Sequence, residues 1–120
     1  MSERVLIVDD DPEATASLAR VLRKKGCVVR EENDSTLALQ VAREFQPEVV
    51  VLDYLMPVVH GVDVAWQLAS DPVCRAAQVI MCSAVPREEF VWKLPPCKIP
   101  TFEKPVPLDD LVALIQGGKR

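Results

Sequence analysis

At 120 residues, 49% of them apolar and 27% charged, the chain is sized for one globular domain around one core. A formal charge of −4 offers no basic face for a nucleic-acid footprint, and no apolar run approaches the roughly 18 residues of a membrane span. The four cysteines form no C-x-x-C pair and a single histidine offers little for zinc, so free thiols in a reducing cytoplasm are expected.

Arg4 to Val8 is an apolar run bounded by charge and reads as a buried strand; because the run is short and ends in acid, it is not a signal peptide. Asp11 followed by Pro12 is an N-cap and a first helical position. The helix they open places Ala14, Leu18, Val21 and Leu22 on one face and ends at Lys24-Lys25-Gly26. Cys27 to Glu31 is a second strand whose polar end suits a sheet edge. Asn33, Asp34 and Ser35 supply caps for a helix carrying Ala38, Val41, Ala42 and Phe45, and Pro47 ends it. Val49 to Leu52, with three β-branched residues, reads as a strand buried on both faces, and it stops at a carboxylate, Asp53.

From Gly61 a helix is expected to about Ser70, with Val64, Ala65 and Leu68 inward, Trp66 off that stripe and Asp71-Pro72 as the stop. Gln78 to Cys82 is the fourth strand, followed by Ser83-Ala84. Arg87 to Leu94 has room for about two helical turns, but Pro95, Pro96 and Pro100 prevent extension, so the fourth helix is expected to be short or irregular. Ile99 to Glu103 is a short strand leading to Lys104-Pro105. A last helix presents Leu108, Leu111, Val112 and Ile115.

Short strands alternating with amphipathic helices imply an α/β fold, a parallel sheet covered on both faces by right-handed crossovers. With strand order 2-1-3-4-5, the carboxyl edge brings Asp9 and Asp10 beside Asp53, with Ser83 and Lys104 flanking them. Three carboxylates in one crevice repel one another unless a cation or proton intervenes. An all-oxygen set suits Mg²⁺, which uses one or two carboxylates plus phosphate oxygens. Lys104 is a point-charge partner for a phosphoryl oxygen and Ser83 a hydroxyl donor. Asp53, between metal and lysine, is a carboxylate nucleophile able to form an acyl phosphate.

Val8-Asp9-Asp10, Asp53 with Met56-Pro57 and Gly61, Ser83-Ala84 and Lys104-Pro105 fall at successive strand ends. In this combination the chain resembles a response-regulator receiver domain of two-component signal transduction, over essentially its whole length. The resemblance implies a flavodoxin-like (βα)5 doubly wound fold and a single receiver domain over residues 1–120. It implies Asp53 as phosphoacceptor, and Asp10 and Asp53 as Mg²⁺ ligands. Asp9 would help directly or through water, and the Leu55 carbonyl would supply a backbone ligand. Ser83 would hydrogen-bond the phosphoryl group, Lys104 would ion-pair with it, and Lys104-Pro105 would be cis. The donor would be a phosphohistidine on a sensor histidine kinase or histidine phosphotransfer protein, acting in the cytoplasm. The target would be a partner or an attached output domain, with no nucleic acid bound through this domain.

The sequence also departs from that family. Three residues before Lys104, where many receivers carry Tyr or Phe, stands Thr101, and period-two alternation points the adjacent Phe102 to the opposite face. Leu55 and Val85, two residues after Asp53 and Ser83, are apolar and cannot orient an attacking water, so slow self-dephosphorylation is expected. A receiver-fold binding module that acts without phosphorylation is the alternative reading. A small phosphatase with a nucleophilic aspartate is disfavoured, because Leu55 stands where such enzymes usually place a second carboxylate.

Overall fold

The computed structural model describes residues 2–117. Five parallel strands, β1 (Arg4–Val8), β2 (Val28–Glu32), β3 (Val49–Asp53), β4 (Gln78–Ser83) and β5 (Thr101–Glu103), form one sheet in the order β2-β1-β3-β4-β5. The helices among the described residues are α1 (Pro12–Lys24), α2 (Ala38–Phe45), α3 (Gly61–Ser70) and α4 (Leu108–Gly117). This is the expected flavodoxin-like topology.

Alternation along the central strands divides the core. Leu6, Val8, Val50, Leu52 and Met81 face α2 and α3, together with Val64, Ala65 and Leu68. Val5, Ile7, Val49, Val51, Ile80 and Cys82 face α1 and α4, meeting Ala19, Leu22, Leu111 and Ile115. All five residues of β3 are buried, as its unbroken apolar run requires.

Helix boundaries follow local chemistry. The Asp11 carboxylate accepts from the Glu13 amide at the start of α1, and Pro12 occupies the first turn. Asp34 accepts from the Thr36 amide, opening a 3₁₀ turn (Ser35–Leu37) that leads into α2. At α3 the His60 amide donates to the Asp63 carboxylate, while Asp71 closes the other end by accepting from the Val73 amide and from Arg43 Nε at 2.6 Å.

Two segments differ from the sequence expectation, and a third takes the irregular form expected of it. Pairing in β2 begins at Val28, because the Cys27 amide is used by the Leu22 carbonyl at the end of α1. Pairing in β5 begins at Thr101, after Pro100, which has no N–H to give. Residues 87–94 form two 3₁₀ turns, Arg87–Glu89 and Val91–Lys93, where α-helical turns had room. Pro86 and Pro95 bracket the segment, and Phe90, at φ −137° between the turns, sends a fully buried ring into the core. The short or irregular fourth helix read from the sequence is what the chain adopts. Trp66, placed off the inward stripe, is 45% exposed, and its indole N–H donates to the Lys93 carbonyl at 2.7 Å.

Candidate functional site

The crevice lies at the carboxyl edge of β1, β3, β4 and β5. Asp9 follows β1 directly and is held there by its amide, which donates to the Glu32 carbonyl, and by one carboxylate oxygen, which accepts from the Asp11 amide at 3.0 Å. Asp53 is the last residue of β3, paired in register with Cys82 of β4, so Ser83 is the next residue along that edge. The Lys104 amide donates to the Ser83 carbonyl at 2.7 Å, which carries the β5 end to the same place; the Lys104-Pro105 peptide is cis.

Carboxylate oxygens of Asp9, Asp10 and Asp53 lie within 4.8 Å of one another, close enough to hold one metal ion. Lys104 Nζ stands 2.8 Å from Asp53 Oδ1 and 3.3 Å from Asp9 Oδ2, bridging two of the three acids. Asp9 and Asp53 are buried while Asp10 faces solvent. Burial raises the Asp53 carboxyl above the ordinary range; the hydrogen bond from Lys104 pulls it down, and the charges of Asp9 and Asp10 add to the rise. Burial works against the Lys104 ammonium, but Asp53, by hydrogen bond and charge, and then Asp9 overcome it and hold the lysine above its ordinary value. The site thus carries more negative charge than its one lysine neutralises, and its donors are all oxygens, the set that suits a hard divalent cation.

Ser83 is buried, and its hydroxyl accepts from the Val85 amide at 2.9 Å. A hydroxyl that accepts there still has its own proton to donate. Leu55 is half exposed beside the site. Cys82 lines the same crevice, a cavity of about 360 Å³ running between α1 and α4. Burial pushes its thiol up to about 12.

Several supporting contacts had no legible signal. Asn33, read as a cap, donates instead to the Asp9 carbonyl at 2.8 Å and to Thr15 Oγ1 at 3.0 Å, tying the acidic turn to β2 and α1. The Ser35 hydroxyl donates to the Pro57 carbonyl and anchors the loop after Asp53. In that loop Val58 has φ +69° and is 85% exposed, a left-handed conformation that a β-branched residue rarely takes. Gly61 closes the loop. A β-carbon there would overlap the Asp53 carbonyl oxygen, and would stand 3.0 Å from both the Asp53 carbonyl carbon and Tyr54 Cα.

Fold and crevice define a doubly wound α/β domain with an acidic, lysine-bridged pocket. Residues 5–116 match the family model of the response regulator receiver domain, and the chain belongs to that family. It is 48% identical over 77 residues to the transcriptional regulatory protein PrrA of Mycobacterium tuberculosis, covering 61% of this chain and 33% of PrrA. Against the DNA-binding response regulator MtrA of Mycolicibacterium smegmatis it is 39% identical over 71 residues, covering 59% of this chain and 31% of MtrA. The chain therefore spans about a third of the length of these curated relatives. Among solved structures, the signal receiver domain of a DNA-binding response regulator (merR) from Colwellia psychrerythraea superposes with TM-score 0.88 at 21% identity, covering 98% of each chain. The signal receiver domain of the putative response regulator NarL from M. tuberculosis gives 0.83 at 25% identity, covering 98% of this chain and 95% of that domain's chain. Among the described residues no helix is long and apolar enough to cross a membrane.

Proposed function

We propose that residues 1–120 act as one phosphorylation-dependent signalling receiver in the cytoplasm, accepting a phosphoryl group on Asp53 from a phosphohistidine donor. The observation that carries this reading is the setting of Asp53. Its carboxylate is buried in a crevice with two further acids close by and Lys104 Nζ at 2.8 Å. The carboxylates of Asp9, Asp10 and Asp53, with the Leu55 carbonyl, would hold Mg²⁺, which when bound neutralises charge on the transferring group. An Asp53 oxygen attacks phosphorus as the P–N bond of the donor breaks, and the electron pair stays with the imidazole nitrogen, which takes up a proton. Lys104 pairs with one phosphoryl oxygen and the Ser83 O–H donates to another. The chain's contribution is positioning and electrostatics, with no general base needed. The donor is a sensor histidine kinase or a histidine phosphotransfer protein, and the phosphorylated state shifts a conformational equilibrium that controls a partner or an attached output domain.

The test is incubation with acetyl phosphate, or with beryllofluoride as the acyl-phosphate mimic, in Mg²⁺, comparing wild type with Asp53→Asn. One phosphoryl group on wild type and none on the variant is the expected result. Wild type that neither takes up phosphate nor binds beryllofluoride would overturn the reading in favour of a binding module that works unphosphorylated.

A further inference from the structure

Alternation along the strands puts an apolar residue two positions before each of three charged residues of the crevice, on the same face of the sheet: Ile7 before Asp9, Val51 before Asp53 and Phe102 before Lys104. The crevice therefore continues into the α1–α4 layer, as a cavity of about 360 Å³. We infer that this cavity is a binding site for a small organic cation, an ammonium or amidinium on an apolar body, which restrains phosphorylation by competing with the divalent metal for the acids at its mouth. The consequence for phosphorylation rests on the receiver reading above; the binding itself does not.

The cavity has a physical origin in the sequence. Ile7, Val51 and Cys82, from three adjacent strands, are buried and give it an apolar floor. Helix α1 begins at Pro12 and α4 only at Leu108, and two of the side chains that α1 turns to the cavity are short, Ala14 and Ser17. Helices that start this far past the strand ends, with side chains this small, leave the upper part of the layer unfilled. The volume lies at the small end of the roughly 300–1,000 Å³ of small-molecule sites, which are likewise apolar with a few convergent polar groups. Leu18 and Val106 on the walls are only partly buried, and an apolar body would take that surface out of water.

Charge selects the head group. Asp9, Asp11 and Asp53 line the cavity against one base, Lys104. Lys104 Nζ, 2.8 Å from Asp53 and 3.3 Å from Asp9, answers one of those charges and leaves an excess of negative charge at the mouth. An anion is repelled there and a cation attracted, and the apolar walls strengthen that attraction relative to water. Asp10 completes the acidic cluster but does not line the cavity, so the organic cation and the metal share Asp9 and Asp53. Two cations drawn to the same carboxylates weaken each other's binding by the same factor.

The test titrates benzamidinium, its neutral isostere benzamide and benzoate into metal-free, ¹⁵N-labelled protein. Benzamidinium should shift the amides of Ile7, Val51 and Cys82 and bind about fivefold or more tighter than benzamide, and benzoate should not bind. Saturating Mg²⁺ should weaken benzamidinium about 3–10-fold, and benzamidinium should weaken Mg²⁺ by the same factor and slow acetyl phosphate labelling at limiting Mg²⁺. Ala14→Leu and Ser17→Leu each fill the cavity from α1 and should each weaken benzamidinium about fivefold or more. Ser17 is exposed, so its variant remains informative if Ala14→Leu impairs folding. Benzamidinium that does not bind, binds no tighter than benzamide, ignores Mg²⁺, or binds both filled variants within twofold of wild type overturns the inference and leaves the receiver reading intact. Wild type that takes up neither acetyl phosphate label nor beryllofluoride overturns the receiver reading and the regulatory consequence, while the titration still decides the binding.

Discussion

Gly61→Ala tests whether the glycine of the β3–α3 loop is there to position Asp53. The added methyl would overlap the Asp53 carbonyl oxygen and sit 3.0 Å from the Asp53 carbonyl carbon and Tyr54 Cα, all backbone atoms that no rotamer change can move. Ordinary contact begins near 3.5 Å, so the start of α3 and the end of β3 must part by about 1 Å or more. The Gly61 amide, bonded to the Tyr54 carbonyl at 2.8 Å, resists that separation. Overpacking of this kind costs about 1–3 kcal/mol. For a chain of this size that lowers Tm by roughly 4–10 °C. The larger effect is expected on chemistry: displacing a reacting group by about 1 Å can cost on the order of 100-fold in rate. The assay is initial-rate phosphorylation by acetyl phosphate in saturating Mg²⁺, beside thermal unfolding of the same samples. A variant that unfolds within 2 °C of wild type and phosphorylates at the wild-type rate would refute the argument that Gly61 is fixed by its approach to the Asp53 backbone.

Four further outcomes follow from the same geometry. Val58→Gly relieves a left-handed backbone costing about 1–2 kcal/mol for a non-glycine residue. After about 0.5–1 kcal/mol of glycine entropy it should raise Tm by a few degrees, and a fall would show that the Val58 side chain makes a compensating contact. Asp53 has a raised carboxyl, so its contribution to stability is present below the unfolded value and is lost as pH rises through the folded one. Asp53→Asn should therefore match wild type at low pH and exceed it near neutrality without metal, while Mg²⁺ stabilises wild type more than the variant; equal stability across pH would contradict this. Lys104→Ala removes the cation that bridges Asp53 and Asp9, so Mg²⁺ should bind several-fold tighter while phosphorylation slows at least tenfold; weaker Mg²⁺ binding, read by titration calorimetry, would contradict the charge argument. With apolar Leu55 and Val85 flanking the acyl phosphate, its decay in Mg²⁺ should take minutes or longer, and a half-life of seconds would count against that reading.

The strands and the acids at their ends were legible because each depends on short-range pattern, and the order 2-1-3-4-5 taken for this fold class is the one the sheet has. An apolar run ending in a carboxylate places that carboxylate at a sheet edge whatever the rest of the chain does. Once Val5–Val8 and Val49–Leu52 are neighbouring strands, Asp9 and Asp53 have to meet. The supporting contacts were not legible, since each is a tertiary coincidence. Asn33 sits in a run of three good capping residues, and only its distance from the Asp9 carbonyl tells it apart from Asp34, which does cap. The motif glycine was visible, but its reason, the approach to Asp53, needed the α3 entry angle. The left-handed Val58 runs against residue preference, so preference alone could not find it.

The region from Ser83 to Thr101 shows why chemistry and readout separate in this chain. The expectation that Phe102 points to the face opposite Thr101 is met: it packs with the α1 and α4 core. That removes an aromatic from the place where β5 could sense Ser83. The lost packing is supplied from a different direction, by Phe90 entering from the β4–β5 connection to lie on Tyr54. Phe90 enters the core at the break between the two 3₁₀ turns, where its φ of −137° is not helical. The prolines that bracket the segment and the threonine in β5 thus meet in one contact region. With no aromatic to swing inward from β5, the connection itself carries the ring, and the arginine that follows Pro86 ties it back to Thr101.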